Sequence, residues 1–283
     1  MTEVRHPAEP WLSVIGIGDC GLESLGPRAR AVVEAGEVLV GGERHLAMIS
    51  RHSGERLAWR RPLEATFDDL EARRGRRVVV LASGDPMCFG VGEALAGRFG
   101  VEQMRVLPAP STFSLVCARL GWSRAGIDAL SLHGRPAAIL NRHIAPGARL
   151  VVLSHDGDTP NLIARMLVER GFGPSAIRVF EHLDGARERR IEGPAGAWRE
   201  ARFAPLNAVA IECVAGPGAL VLGEAPGLPD DAFRSDGMLT KREVRAATLA
   251  RLAPLPGQCL WDVGAGSGAI GIEWLRAARC GRA

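Results

Sequence analysis

Short apolar runs alternate with longer amphipathic stretches along almost the whole chain. Runs rich in Val, Leu and Ile predict strands at Leu12–Ile17, Val38–Val40, Val78–Ala82, Met104–Leu107, Ala129–Leu132, Leu150–Leu153, Ile177–Phe180, Ala208–Cys213 and Cys259–Val263. They are nearly continuous in apolar character, as strands are when both faces of a sheet are covered. Apolar residues at helical spacing predict helices at Ser24–Glu34, Leu63–Arg73, Gly90–Phe99, Thr112–Leu120, Pro160–Arg170, Lys241–Leu252 and Ala269–Arg276. Strands alternating with helices argue an α/β protein. Two breaks interrupt the alternation. LPAPS at 107–111 carries two prolines and opens a helix, and GEAPGLPDDAF at 223–233 is rich in Pro, Gly and Asp. They divide the chain into a first domain at 1–224, with lobes of about 1–108 and 109–224, a linker at 225–232 and a last segment at 233–283.

Composition narrows the function classes. With 47% apolar and 24% charged residues the chain reads as an ordinary soluble globular protein of about two domains. No uncharged apolar run approaches the roughly 18 residues of a membrane span, so no membrane contact is expected. The polar opening MTEVRHPAEP lacks the apolar stretch of a secretion signal, so a cytoplasmic location is expected. Cys20, Cys88, Cys117, Cys213, Cys259 and Cys280 form no C-x-x-C pair, which speaks against a metal site. A net charge of +3 does not point to nucleic acid. Lys241 is the only lysine among 35 basic residues. Codon bias accounts for that; planar guanidinium forks would also suit a ligand with many carboxylates.

The glycine motifs carry the candidate chemistry. GIGDCG at 16–21 fits a dinucleotide fingerprint directly after a strand. The acid that would close the second strand is replaced by Gly41 and Gly42, with Glu43 just beyond, so a plain tight turn is the stronger reading than a dinucleotide site. ASGDPMCFGVGEAL at 82–95 runs from a strand into a Gly-Asp-Pro turn and a helix. It is a cap-and-turn or a ligand loop at a strand C-terminus. In WDVGAGSGAIGIEWL at 261–275 a strand ends in Asp262, and Gly264, Gly266 and Gly268 alternate before a helix. Such a loop presents helix N-terminal amides to either a dinucleotide or S-adenosylmethionine.

Taken in order, IGIGDCGLESL, LVGGERHL, ASGDPMCFGVG, PAPSTFSLVCARLGW, LSLHGR, EHLDGARER and LNAVAIE resemble the tetrapyrrole methylases. GGERHL with LHGR resembles the branch that methylates precorrin-6Y, and the tail from GLPDDAF onward resembles the start of a decarboxylating methyltransferase domain fused behind it. The resemblance implies a two-lobed α/β tetrapyrrole methylase domain followed by the beginning of a Rossmann-like methyltransferase domain. It implies S-adenosyl-L-methionine held between the lobes, a small-molecule precorrin substrate and a homodimer. The cofactor contacts it implies are Gly16, Gly18 and Asp19, then Gly84, Asp85 and Pro86, then Ser111 and Thr112, with Ser154 and Asn207 aligned more loosely. In the tail it implies Asp262, Gly264, Gly266 and Gly268, and Thr240. The chain stops about one helix past that last glycine loop, so an incomplete second fold is expected.

Methyl transfer from a sulfonium needs mainly positioning and exclusion of water, so no catalytic residue is assigned outright. His133 and Glu181 are candidates for proton handling; each also reads as structural, His133 as a strand-end histidine and Glu181 as a packing ion pair. The arginine-rich stretch 60–77 reads as a solvated face of mixed charge. A nicotinamide-dependent oxidoreductase and a non-catalytic corrinoid-binding protein stand as the other function classes.

Overall fold

The computed structural model describes residues 10–235, 237–278 and 281–283; the opening nine residues and Cys280 lie outside the described residues. The first lobe runs β1 (Leu12–Ile17), α1 (Pro27–Glu34), β2 (Val38–Gly41), α2 (Glu43–Met48), β3 (Glu55–Ala58), α3 (Glu64–Glu71), β4 (Val78–Ser83), α4 (Gly92–Phe99) and β5 (Met104–Leu107). Its five strands are ordered β3-β2-β4-β1-β5, and every pairing is parallel. Side chains alternate across this sheet. Val14, Val40 and Val80 pack with Phe67 of α3 and Leu95 of α4, while Ile15, Leu39 and Leu81 pack with Val33 of α1 and Leu46 of α2. The β1-to-β2 and β4-to-β5 connections therefore cover opposite faces, which opens a crevice beyond the C-terminal ends of the adjacent strands β1 and β4.

The second lobe contains α5 (Thr112–Leu120), β6 (Asp128–Ser131), β7 (Arg149–Leu153), α6 (Thr159–Glu169), β8 (Ala176–Glu181), β9 (Arg189–Pro194) and β10 (Asn207–Glu212). Its order is β6-β7-β10-β8-β9, with only β6 and β7 parallel. Because β10 runs opposite to β7 and β8, its first residue, Asn207, lies at the same rim as Leu153 and Glu181.

Sequence pattern and structure part at the sheet edges. β3 and β9 carry no apolar run, and alternate residues of each face solvent, as edge strands do. Helix α1 begins at Pro27 rather than Ser24, with proline in the first helical turn and residues 21–24 forming a separate tight turn. The strand expected at Cys259–Val263 is absent. Only Cys259 forms a bridge, with Arg282, while Trp261 and Val263 are 86% and 92% exposed. An apolar run becomes a strand only when neighbours supply its hydrogen bonds, and none of the described strands lies beside this one.

The tail is built instead on α7 (Arg242–Leu252) and α8 (Ala269–Ala277), which meet around Leu249, Trp274 and Ala278. At their junction Arg245, fully buried, gives Nε to Glu273 Oε1 at 2.8 Å and Nη1 to Asp230 Oδ1 at 2.7 Å. Glu273 also accepts the amide of Leu228 at 3.1 Å. Residues 227–230, expected as linker, are thus tied into the tail.

Candidate functional site

Three loops converge at the C-terminal edge of the first sheet. The amide of Gly84 donates to the Ile17 carbonyl at 3.1 Å, and the Gly84 carbonyl accepts from the Ala109 amide at 3.1 Å. A Cβ on Gly16 would stand 1.9 Å from Gly84 O and 2.4 Å from Ala109 N. Gly84 itself has φ +57, a conformation that favours glycine. The expected contacts Gly16 and Gly84 therefore form one junction, onto which the β1, β4 and β5 loops close.

Beside it the Asp85 carboxylate accepts the Met87 amide at 2.9 Å, and the following loop wraps the buried Pro86, whose carbonyl accepts the Gly92 amide at 2.9 Å. Ser111 caps α5, its hydroxyl oxygen accepting the Ser114 amide at 3.2 Å. Asp85, Ser111 and Thr112 line a cavity of about 250 Å³ together with His45, Phe89 and Leu153, so both lobes contribute to its wall.

Gly18 and Asp19 tie the first glycine loop to its neighbours. The Gly18 amide donates to Ser24 Oγ at 2.9 Å, closing the tight turn at 18–24. Asp19, with a side chain only 9% exposed, accepts from Arg44 Nη1 at 2.8 Å and lies 3.4 Å from His182 Nδ1. The Cys20 thiol donates to the Asp184 carbonyl at 2.9 Å. The first glycine loop thus latches onto the 182–185 turn of the second lobe. No acid ends β2 to hold a ribose, and α1 starts well after Gly21, so the geometry is not that of a dinucleotide fingerprint.

On the facing rim Ser154 Oγ donates to Asn207 Oδ1 at 2.5 Å, and Asn207 Nδ2 donates to the Ala204 carbonyl at 2.8 Å. Glu181 is buried. It accepts from Arg189 Nε at 2.8 Å and from the Ala204 amide at 2.7 Å. Burial alone would raise its carboxyl, but Arg189 and that amide outweigh it and hold the group below its usual range. His133 is exposed, and its ring centroid lies 5.6 Å from that of His155.

Sequence reasoning passed over Arg44 and His45. Both stand in GGERHL at the C-terminus of β2, where ligand loops gather, and that position was the available signal. Arg44 Nη2 donates to Ser83 Oγ at 2.8 Å and contacts His45 Nε2 at 3.0 Å. A guanidinium can only donate, so Nε2 accepts and the imidazole proton sits on Nδ1. Burial, and then the Arg44 charge, push the His45 pKa down to about 4.

In the tail, Gly264, Gly266 and Gly268 all have positive φ, and a Cβ on any of them would meet open space. Asp262 Oδ2 would lie 3.3 Å from a Cβ on Gly271 in α8. Thr240 gives its carbonyl to Arg245.

Two α/β lobes with an intervening cleft, walled by glycine-bearing loops at strand C-termini, define a small-molecule-binding class of protein. Comparison with known proteins gives the family. Residues 12–197 match the tetrapyrrole (corrin/porphyrin) methylases, and residues 231–283 match a precorrin methyltransferase domain. The chain belongs to the tetrapyrrole methylases. It is 48% identical over 269 residues to the precorrin-6Y C(5,15)-methyltransferase [decarboxylating] of Sinorhizobium sp, covering 95% of this chain and 65% of that protein. It is 34% identical over 178 residues to the cobalt-precorrin-7 C(5)-methyltransferase of Salmonella typhimurium, covering 63% of this chain and 88% of that one. The chain thus spans about two thirds of the length of its longer relatives.

The fold recurs in solved structures. Precorrin-6Y methylase from Archaeoglobus fulgidus superposes with a TM-score of 0.54 at 23% identity, over 71% of this chain and 97% of that one. Uroporphyrin-III C-methyl transferase from Thermus thermophilus, complexed with S-adenosyl homocysteine, gives 0.55 at 21% identity, over 71% and 96%.

Proposed function

We propose that the two lobes of this chain bind S-adenosyl-L-methionine in their cleft and methylate ring carbon 5 of a precorrin, precorrin-6Y or its close analogue, in cobalamin biosynthesis in the cytoplasm. The observation that carries the reading is the junction of Gly16, Gly84 and Ala109, which brings Asp85, Ser111 and Thr112 to one cavity between the lobes. The names of the relatives support the position of attack. The shorter one, which aligns over 178 residues, is a C(5)-methyltransferase, and the longer one, which aligns into the tail, is a C(5,15)-methyltransferase. Methylation at carbon 15 and decarboxylation then belong to the second fold, whose glycine loop is Asp262, Gly264, Gly266 and Gly268. A homodimer is part of this reading, and light scattering at micromolar concentration tests it.

When bound, S-adenosylmethionine supplies a methyl already activated by the sulfonium. The work left to the protein is to hold a ring carbon in line at roughly 3–3.5 Å and to exclude water. The glycine junction sets the floor of the cleft, and the Ser154–Asn207 pair fixes the facing rim. His133 is the better placed of the two proton-handling candidates, because its ring is exposed at that rim while Glu181 is fully engaged with Arg189 and Ala204.

Calorimetric titration of residues 1–283 with S-adenosylhomocysteine tests the reading; a stoichiometry near one is expected. Among the described residues the tail has two helices and one isolated bridge and no sheet to carry a second site. Given precorrin-6Y, the same polypeptide is expected to yield a product heavier by one methylene unit without releasing carbon dioxide. Two equal cofactor sites, or carbon dioxide in the headspace, would refute this division of labour.

A further inference from the structure

Phe89 stands out in the loop after β4. Its φ is +55, a left-handed conformation that is unusual for a bulky residue, and the residue is 47% exposed. Backbone strain and an exposed aromatic ring both oppose folding, and such costs collect where a ligand is to be held. The ring is not isolated. Phe113, at the start of α5, lies behind it at 5.7 Å between centroids. The Arg135 guanidinium lies over Phe89 at 5.0 Å, and the Arg124 guanidinium lies over Phe113 at 5.3 Å. Arg135, Phe89, Phe113 and Arg124 therefore form one row, with Phe89 supplied by the first lobe and the rest by the second. Both phenylalanines line the cleft cavity.

The two arginines differ from their neighbours. Arg44, Arg119, Arg149 and Arg189 are each paired with a carboxylate of this chain. Arg124 and Arg135 are exposed, and among the described residues neither side chain forms a salt bridge or a hydrogen bond; each guanidinium lies over a ring. A guanidinium held over an aromatic ring without a hydrogen-bond partner keeps its N–H donors available, and its fork matches a carboxylate with two parallel hydrogen bonds. The cation–π contact also restrains the side chain in advance, so less conformational entropy is lost on binding.

We infer that Arg124 and Arg135, held over Phe113 and Phe89, form a recognition site for the carboxylate side chains of a planar acidic macrocycle entering the cleft. The inference rests on the substrate class proposed above and adds the residues that read its acidic rim. Lysine in either position would keep the charge but lose the fork and the stacking plane.

The test is equilibrium binding of uroporphyrin, a planar octacarboxylate, followed by its fluorescence at fixed ionic strength. The proteins are the unmodified chain, Arg135→Gln, Arg124→Gln, the double variant, and Arg28→Gln on α1 as a surface-charge control. A cationic pyridinium porphyrin is the control ligand, and S-adenosylhomocysteine is titrated in parallel. Each cleft variant is expected to weaken uroporphyrin binding about tenfold, the double variant further, as loss of hydrogen bonds to a charged group implies. The Arg28 variant, cationic-porphyrin binding and melting temperature should not move. Unchanged uroporphyrin affinity in the double variant, an equal loss in Arg28→Gln, or no saturable uroporphyrin binding by the unmodified chain would overturn the site. Failure of S-adenosylhomocysteine to bind would refute the cofactor reading alone, because the porphyrin titration is read without it.

Discussion

Gly16 approaches Gly84 so closely that a methyl group on Gly16 would lie 1.9 Å from the Gly84 carbonyl oxygen. Both atoms that such a methyl would strike, Gly84 O and Ala109 N, are backbone, so no side chain can swing away. Gly16→Ala must part the β1, β4 and β5 loops. Overpacking of this kind costs about 1–3 kcal/mol. Urea denaturation should show that loss, and calorimetry should show S-adenosylhomocysteine affinity falling with it. A variant of native stability and affinity would mean that the three loops yield without consequence.

Asp85 separates structure from binding. Its carboxylate accepts one amide, from Met87, at 2.9 Å. Losing a cap of that kind costs about 0.5–2 kcal/mol. If Asp85 shapes the cofactor pocket, Asp85→Ala should lower affinity for S-adenosylhomocysteine far more than it lowers the melting temperature. Early melting with normal binding would confine Asp85 to its turn.

His45 makes stability depend on pH in a defined window. Its pKa is depressed from 6.5 to about 4, so the folded protein resists the proton that the unfolded chain accepts. The unfolded state then binds more protons below 6.5, and stability falls as pH drops from about 6.5 towards 4. The buried carboxylate Glu181 acts in a lower window, because its ordinary value is 4.5 and its shift is downward. Between pH 7 and pH 5 the His45 contribution is on the order of 2 kcal/mol. His45→Gln should flatten the stability curve over that interval; a curve parallel to that of the unmodified protein would remove His45 as its source.

Arg245 and Glu273 hold the tail together through a fully desolvated pair at 2.8 Å. Removing one partner of such a pair costs about 3–5 kcal/mol, because the other charge is left buried. Arg245→Met is expected to open residues 227–278 to limited proteolysis while S-adenosylhomocysteine binding in the first cleft stays unchanged. If cofactor binding falls in step with tail cleavage, the two parts are coupled.

The buried strands and the order of the cleft loops were legible in the pattern of apolar runs and glycines. The runs read as strands at Leu12–Ile17, Val78–Ala82 and Ala208–Cys213 are apolar on both faces and lie within or against the buried strands β1, β4 and β10. Glycine and proline at 84–86 and 108–110 marked the turns beyond such strands. The edge strands β3 and β9 were illegible, because half-exposed charged residues leave no apolar run, and 259–263 showed the converse, an apolar run without neighbours to make it a strand. Folding in three dimensions is what brings Asp19 to Arg44 and His182, and Arg135 over Phe89. Those relationships join residues far apart in the chain. They follow from strand order and from the facing of the two rims, and a one-dimensional pattern of polar and apolar positions contains neither.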